Sequence, residues 1–317
     1  MSSCYEEKQN MTFNRDKILT GIEILTRTVI QTYEKLEKGS EFMEMNLSIR
    51  KLESNEDMRL IQPLEQEVWG INPIPTHQTF TASQNGGVVL GAFAEKEIVG
   101  YSYSFPGFAN GKIYLCSHML GIHPNYQSLG IGKLLKDEQR KFAKEVGYDL
   151  ITWTFDPLES RNAYLNMTKL YGICNTYLEN CYGEMEDGLN KGLPSDRLQI
   201  EWWISSERVE EKWIPQISSY DRPFVVVQSE KGNPMIYVNL EEIPSDSHGI
   251  EVPVPENIQL IKKKEPDLAL DWRMKIRTIF QILFGEGYAL VGLKKSNEGV
   301  HYYQLIKRST IPLNTKI

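Results

Sequence analysis

The stretch at residues 127–133, QSLGIGK, constrains the fold of this chain most strongly. It lies between a predicted strand at residues 113–122 and a predicted helix at residues 130–146. Two glycines one residue apart at the start of a helix leave backbone N–H groups exposed at the positive end of the helix dipole, where anions bind. The stretch, called the glycine turn below, therefore predicts an α/β protein that binds an anion at a strand-to-helix turn.

The spacing of the glycine turn excludes two standard nucleotide motifs. A dinucleotide fingerprint, G-x-G-x-x-G, needs a third glycine where this chain has Leu135. A Walker A loop, G-x-x-x-x-G-K-[ST], needs a glycine where Gln127 stands and a Ser or Thr where Leu134 stands. What remains is a Q-x-x-G-x-G turn at the start of a helix.

Hydrophobic periodicity predicts a domain of strands and helices from residue 45 to residue 206. The order of elements is strand, helix, helix, three strands, helix, strand, helix, strand. The predicted strands are at 47–52, 87–93, 98–105, 113–122, 149–155 and 198–204, and the predicted helices are at 55–68, 77–84, 130–146 and 158–170.

Two further parts flank this central domain. Residues 1–44 contain a polar tail and an amphipathic helix at 15–38 that ends before Gly39. Residues 207–317 form a predicted C-terminal α/β extension, for which a lid and a dimerisation module are both open. Its predicted strands are at 223–228, 235–240, 249–254, 288–294 and 300–307, with a helix at 267–284.

Composition excludes several classes of partner. The formal net charge is -7, and no run of Lys or Arg exceeds residues 262–264, which argues against a nucleic-acid partner. No apolar run is long enough to span a membrane, and the first ten residues lack a signal-peptide core. The four cysteines form no CxxC pair or zinc spacing. We therefore expect a cytoplasmic protein with reduced thiols and no metal.

The residues around the glycine turn carry a family resemblance. Residues 120–132 read Leu120-Gly121-Ile122-His123-Pro124-Asn125-Tyr126-Gln127-Ser128-Leu129-Gly130-Ile131-Gly132. This run resembles the acyl-CoA signature of the GNAT superfamily of N-acyltransferases, and the element order of residues 45–204 is similar to that fold. The resemblance implies an α/β (α+β) fold with a mixed central sheet flanked by helices. The resemblance implies that the coenzyme A (CoA) pyrophosphate binds the N–H groups of residues 127–132, with Lys133 adding charge. It also implies that the pantetheine arm pairs with Leu120, Gly121 and Ile122 like an added strand.

Longer segments narrow the resemblance to a GNAT subgroup with long C-terminal extensions, over roughly residues 45–307. They are DPLESRNAYLNMTKLYG, NKGLPSDRLQIEWWI and DLALDWRMKIRTIFQILFGEGY. Some members of this subgroup are associated with N-acylation of amino acids, including succinyl transfer. The donor implied is acetyl-CoA or succinyl-CoA.

Acyl transfer from a thioester to an amine needs a base, an oxyanion-stabilising N–H and a proton for the thiolate. His118 is the predicted base, on the strand face of Leu120 by simple alternation, with a hydrogen-bonded core histidine as the rival interpretation. A backbone N–H near Leu120 would serve the oxyanion.

The family places an Asn and a Tyr on the helix after Pro157, which implies Asn162 as a pantetheine contact and Tyr164 as the acid. Helix capping by Asn162 and simple packing by Tyr164 are the rivals. The usual Tyr position holds Met167 in this chain.

Two residue pairs are candidates for acceptor binding. Glu201 and Trp203 share one face of an alternating strand and suggest an ammonium site. The alternative is a solvated Glu and a Trp that packs at the edge. Arg273 and Arg277 lie one helical turn apart and suggest a carboxylate clamp. The alternative is surface arginines paired with Asp271 or Glu286.

These features predict direct transfer in a ternary complex to a small amine or an amino acid, with a homodimer left open. A CoA-binding regulatory protein without catalysis and a protein N-acetyltransferase are the alternatives.

Overall fold

The computed structural model describes residues 46–70, 72–185, 191–239, 243–244 and 246–314. The helix predicted at residues 15–38 lies outside these residues. No helix in the described ranges is long and apolar enough to cross a membrane.

One ten-stranded sheet runs through the described chain in the order β1-β2-β3-β4-β5-β7-β6-β11-β12-β10. Its neighbouring strands are antiparallel, except that β4 and β5 are parallel. Strands β8 and β9 form a separate hairpin. The strands are β1 (Leu47–Lys51), β2 (Val88–Ala94), β3 (Glu97–Ala109), β4 (Lys112–Ile122), β5 (Leu150–Phe155), β6 (Ile173–Leu178), β7 (Arg197–Trp203), β8 (Val225–Gln228), β9 (Pro234–Tyr237), β10 (Ile250–Pro255), β11 (Tyr288–Lys294) and β12 (Val300–Lys307).

Helices cover both faces of the sheet. Helices α1 and α2 pack on one face around Tyr101 and Tyr103. Helices α3, α4 and α7 pack on the other face in the main core. The helices are α1 (Asn55–Trp69), α2 (Thr76–Gln84), α3 (Ile131–Val146), α4 (Ser160–Ala163, continuing as a π-helix over Tyr164–Lys169), α5 (Glu207–Glu210), α6 (Ile258–Lys264) and α7 (Pro266–Gly285).

Local signals in the sequence explain where the main helices begin and end. Helix α1 starts with a capping box, in which the Ser54 hydroxyl accepts from the Asp57 N–H and the Asp57 carboxylate accepts from the Ser54 N–H. Helix α3 ends at Gly147, which has a left-handed φ of 95°. The mixed, helix-flanked sheet that the family resemblance implies is present.

Two local predictions were incomplete. Strand β6 was missed because its sequence, ICNTYL, alternates weakly and both of its first two residues are buried. The helix predicted at 158–170 is one α-turn followed by a π-helix, a variant that periodicity does not distinguish from a regular helix.

The C-terminal extension continues the central sheet instead of forming a separate body. Strand β11 pairs with β6 through Leu290 and Cys174. The buried Arg208 guanidinium donates to the carbonyls of Gly172 and Val291, which belong to the two sides of this junction. The boundary predicted at residues 206/207 therefore does not separate two sheets, and a freely detachable lid does not fit this architecture.

The parallel pair of β4 and β5 creates a gap in the sheet. The two strands pair only through Leu115 with Ile151 and Cys116 with Thr152. Beyond these residues β4 continues to Ile122 and β5 continues to Phe155, but the two strands no longer pair with each other. The resulting wedge is closed at Cys116 and opens towards the glycine turn.

Candidate active site

The wedge contains a cavity of about 540 Å³. One wall is β4 at residues 117–120 and the other is β5 at residues 153–155. Cavities of this size with a few polar groups are typical of small-ligand sites. The remaining lining residues are Trp69, Ile74, Lys136, Asp156, Glu159, Asn162, Leu165, Asn166, Tyr182, Met185 and Arg197.

A bulge in β4 decides where His118 points. Tyr103 pairs with Met119 and the next residue, Ser104, pairs with Ser117, so His118 has no partner across the strands. An extra residue of this kind breaks the alternation of side chains. The His118 ring lies 5.9 Å from the ring of Tyr103, on the α1–α2 face.

The side chain of Leu120 lies on the opposite face, against the start of α3. Its Cδ2 atom is 3.7 Å from the position that a Cβ would take at Gly132. The prediction that His118 and Leu120 share one face is therefore wrong, because it assumed a regular strand.

The imidazole of His118 is open to the cavity. Within the described residues it makes no hydrogen bond, and it packs against the rings of Tyr103 and Phe105. These neighbours take away part of its hydration, and the lost solvation lowers its pKa below the usual 6.5. The side chain of His118 thus lies in the cavity wall and is not that of a hydrogen-bonded core histidine.

Lys136 is a cavity residue that the sequence interpretation missed. Its side chain, 2% exposed, reaches the wedge from α3. The ammonium donates to the Ser117 Oγ at 2.7 Å and the Gln139 Oε1 at 3.2 Å. It also lies 3.6 Å from the centroid of the Trp153 ring. Burial lowers the pKa of Lys136 to about 7.

A signal for Lys136 exists in the sequence. The buried face of α3 carries Ile131, Leu135 and Ala143, and Gln139 lies on the same line at helical spacing with Lys136 beside it. Two polar residues on an otherwise apolar helix face indicate a buried polar site.

The glycine turn has the backbone needed to hold an anion. Ser128 and Gly130 have left-handed φ angles of 70° and 86°. The N–H groups of residues 128–132 donate no hydrogen bond to any described part of the chain. The turn therefore presents a run of unused donors next to the positive end of α3.

The side chains of the glycine turn mostly hold the turn itself. The Gln127 amide donates to the Ile122 carbonyl at 3.3 Å, and Lys133 pairs with Asp137 at 2.6 Å. Arg161 on α4, which was not predicted, donates to the Ser128 Oγ at 2.6 Å and brings a guanidinium to the turn.

Helix α4 places Asn162 in the cavity wall and leaves Tyr164 outside it. Residues two apart on a helix point roughly 200° apart, so the two side chains could not both face the wedge. The Tyr164 ring instead lies 4.2 Å from the Lys295 ammonium. The tyrosine that lines the cavity is Tyr182, whose hydroxyl lies 2.9 Å from the Thr154 Oγ1.

The predicted arginine pair lies behind the cavity. Arg273 is 1% exposed and donates to the Asp156 Oδ2 at 2.5 Å. Arg277 holds the Asp196 carboxylate through two bonds of 2.9 and 2.7 Å. Neither arginine is a surface residue paired with Asp271 or Glu286, and both are already bound to carboxylates of the protein.

Glu201 and Trp203 share one face of β7, as predicted, but do not line the cavity. The Trp203 Nε1 donates to the Glu201 Oε2 at 2.7 Å, and Arg308 donates to the same oxygen at 2.8 Å. Because an arginine of the chain already neutralises Glu201, this pair does not form an ammonium site.

Two carboxylates form the acidic part of the cavity. Asp156 lies between Arg273 and Arg197. The Nη1 atom of Arg197 is 3.8 Å from the Oδ2 atom of Asp156. Burial raises the pKa of Glu159, although its carboxylate accepts a bond from Gln259 on α6. No group of three or more potential metal ligands occurs in the described ranges.

Residues 55–167 match the sequence model of the acetyltransferase (GNAT) family. This segment contains the strands of the wedge, the glycine turn and most of α4. No curated protein matches the chain.

Solved structures of acetyltransferases are also similar to parts of this chain. A glucosamine N-acetyltransferase region of a fungal multi-domain β-N-acetylglucosaminidase is 19% identical, with a TM-score of 0.30, and the match covers 34% of this chain and only 13% of that one. The ribosomal-protein-S18-alanine N-acetyltransferase of Escherichia coli is 13% identical, with a TM-score of 0.40 and coverage of 55% and 99%. An aminoglycoside acetyltransferase from an uncultured soil metagenomic sample, in complex with trehalose, is 22% identical, with a TM-score of 0.32 and coverage of 37% and 82%.

Proposed function

We propose that this chain, a GNAT superfamily member through residues 55–167, is an acyl-CoA-dependent N-acyltransferase for a small amine or an amino acid. The family indicates N-acetylation with acetyl-CoA, and the acceptor class is our proposal. The observation that carries it is one wedge with unused N–H donors at its mouth and the neutral imidazole of His118 in its wall.

The mouth of the wedge is suited to the diphosphate of CoA. Its negative charge would be shared among the N–H groups of residues 128–132, with Arg161 and Lys133 close by. Gln127 would keep the turn attached to the end of β4.

The pantetheine arm would lie along β4. Past Cys116 this strand has no partner on its β5 side, so the peptide groups of Leu120, Gly121 and Ile122 can pair with the amides of pantetheine. Asn162, in the opposite wall, is placed to contact the same arm.

The chemistry proposed is direct transfer. The neutral His118 accepts a proton from the acceptor ammonium, and the free amine attacks the thioester carbon. A C–N bond forms, the C–S bond breaks with its electron pair on sulfur, and the acylated nitrogen releases its second proton to solvent. A backbone N–H of the β4 bulge region near Leu120 stabilises the oxyanion.

The acceptor end favours a small cation. Glu159 offers a carboxyl group on the cavity wall whose hydrogen-bond partner is the uncharged Gln259, and Tyr182 adds an aromatic surface, a combination that attracts an ammonium group. The acidic net charge of the chain, -7, adds a weaker long-range attraction for cations.

Release of free CoA tests this proposal. The protein is incubated with acetyl-CoA or succinyl-CoA and a panel of amines, amino acids and one peptide, and thiol release and product mass are recorded. Acceptor-dependent release with a small amine supports the proposal. Saturable CoA binding without release in any arm would contradict it and favour a regulatory CoA-binding protein, and release with the peptide alone would favour protein acylation.

A further inference from the structure

Lys136 lies at the closed end of the wedge and has no role in the mechanism proposed above. Its hydrogen-bond partner Ser117 directly follows Cys116, the last residue of β4 that pairs with β5. Its aromatic partner Trp153 directly follows Thr152, the last paired residue of β5. The ammonium therefore lies at the level where the two strands separate.

Lys136 and His118 approach this level from opposite faces of the sheet. Ser117, which binds Lys136, points to the α3 face, and its neighbour His118 points to the α1–α2 face. A thioester that lies along β4 would thus have a base on one face and a cationic donor on the other. This is the arrangement needed when an amine arrives on one side and a thiolate leaves on the other.

The charge of Lys136 has no counter-ion in the described part of the chain. No carboxylate forms an ion pair with it, and its contacts are a hydroxyl, an amide oxygen and an indole face. The ionisable group that interacts with it electrostatically is Cys116 on β4. From β5 and α4 it faces Trp153, whose Nε1 is bound to the uncharged Asn166.

A buried cation without a partner costs free energy, and that cost falls when negative charge develops beside it. In acyl transfer the negative charge that develops is on the thioester oxygen and then on the departing sulfur. The other proton donors of this region are less suited. Tyr164 lies outside the cavity, and Tyr182 is 51% exposed with its hydroxyl bound to Thr154.

We infer that Lys136 is a catalytic residue that protonates the departing thiolate of CoA, an inference that rests on the proposed function. As the C–S bond breaks, its electron pair stays on sulfur, and an Nζ proton of Lys136 moves to that sulfur. CoA leaves as the thiol and Lys136 becomes a neutral amine. The acylated nitrogen releases its second proton to solvent, solvent reprotonates Lys136, and His118 releases the proton it took from the acceptor ammonium.

The test is Lys136→Met, which keeps an unbranched side chain one atom shorter and removes the charge. With acetyl-CoA and the best acceptor of the panel, we expect kcat to fall about 100-fold and the KM for acetyl-CoA to change less than about threefold. The wild type should lose activity as the pH rises through about 7, where Lys136 deprotonates. The variant should lack this high-pH decline and keep the rise at lower pH that comes from His118.

Lys141→Met is the matched control, because Lys141 is an exposed lysine on the same helix that pairs with Glu138. It should match the wild type in kcat and in pH profile. Thermal unfolding and CoA titration of both variants show that the fold and the binding site are intact.

A Lys136→Met enzyme with a kcat within threefold of the wild type would overturn the inference. So would a lower kcat with an unchanged pH profile, since that indicates a structural role alone. These outcomes leave the proposed function standing, whereas a wild type that releases no CoA with any acceptor rejects both.

Discussion

Under the proposed function, the two ends of the wedge would recognise charge in different ways. At the mouth, residues 128–132 offer backbone N–H groups, and no single side chain of these residues is needed. At the closed end, individual side chains would carry the proposed chemistry, and loss of solvation lowers the pKa of both His118 and Lys136. Binding at the mouth should therefore tolerate side-chain changes that keep the backbone shape, whereas catalysis at the closed end should not.

The largest effect is expected from His118→Gln, which removes the base and keeps a polar side chain. We expect kcat to fall about 100- to 1000-fold while the dissociation constant for CoA changes little. In the wild type, kcat/KM should rise with pH through a value below 6.5, because the neutral imidazole is the active form and its pKa is lowered. Steady-state kinetics and calorimetric CoA titration measure these quantities.

His77→Gln on α2 is the control for this variant, because His77 is exposed and does not line the cavity. Equal losses of kcat and CoA affinity in His118→Gln would show that the closed end also binds the cofactor. This outcome would contradict the assignment of binding to the mouth and catalysis to the closed end.

The second prediction concerns the free energy of unfolding. The pKa of Lys136 is about 7 in the folded protein against the ordinary lysine value of 10.5 in the unfolded chain, so between these values the unfolded chain binds one more proton. The free energy of unfolding therefore rises with pH between about 7 and 10.5, and the buried charge of Lys136 destabilises the folded protein most below pH 7. Lys136→Met should therefore stabilise the protein near pH 6.5 by on the order of 2–4 kcal/mol, while it reduces activity.

Urea denaturation of the wild type and of Lys136→Met at pH 6.5 and pH 9.5 measures this contribution. The difference between the two proteins should shrink by on the order of 3 kcal/mol over that range. A variant that is less stable than the wild type at both pH values would show that the contacts with Ser117, Gln139 and Trp153 outweigh the cost of burial.

A smaller effect is expected at the mouth from Gly130→Ala. Gly130 has a φ of 86°, and an added Cβ would meet no other atom. The alanine should therefore cost about 1–2 kcal/mol of stability through backbone strain and not through a clash. Relief of that strain would move the N–H groups of the turn, and we expect CoA to bind about tenfold more weakly with kcat nearly unchanged.

Gly111→Ala is the control for Gly130→Ala, because it introduces a similar backbone strain away from the glycine turn. Gly111 lies in the turn between β3 and β4, has a φ of 74° and also has open space. It should lose similar stability and keep normal CoA binding. Equal CoA affinities of the two variants, measured by calorimetry, would contradict the role of the turn backbone.

The smallest effect is expected from Tyr164→Phe. The hydroxyl of Tyr164 is lost, but its ring stays beside the Lys295 ammonium and outside the cavity. We expect kcat to stay within about twofold of the wild type. A much larger loss, in a variant that unfolds at the wild-type temperature, would show that α4 rearranges when the cofactor binds and would return Tyr164 to the site.

The parts of the site that follow from short-range patterns could be predicted. The glycine turn, the strand before it and the helix after it depend on neighbouring residues, and all three are present. Asn162, predicted as a pantetheine contact, lines the cavity, and the contact itself stays a prediction. Tyr164 could have been rejected from the sequence, because it lies only two residues from Asn162 on a helix.

The amino-acid sequence by itself determined most of the order of strands and helices, without β6, α5 and α6, and the glycine turn, since periodicity, caps and glycine conformations are local properties. Tertiary structure decided the bulge that turns His118 away from Leu120, the pairing of β6 with β11 and the burial of Lys136 beside Trp153. Each of these depends on the register between distant strands or on contacts between elements far apart in the chain. A one-residue shift in register reverses the face of a side chain, and no local pattern records it.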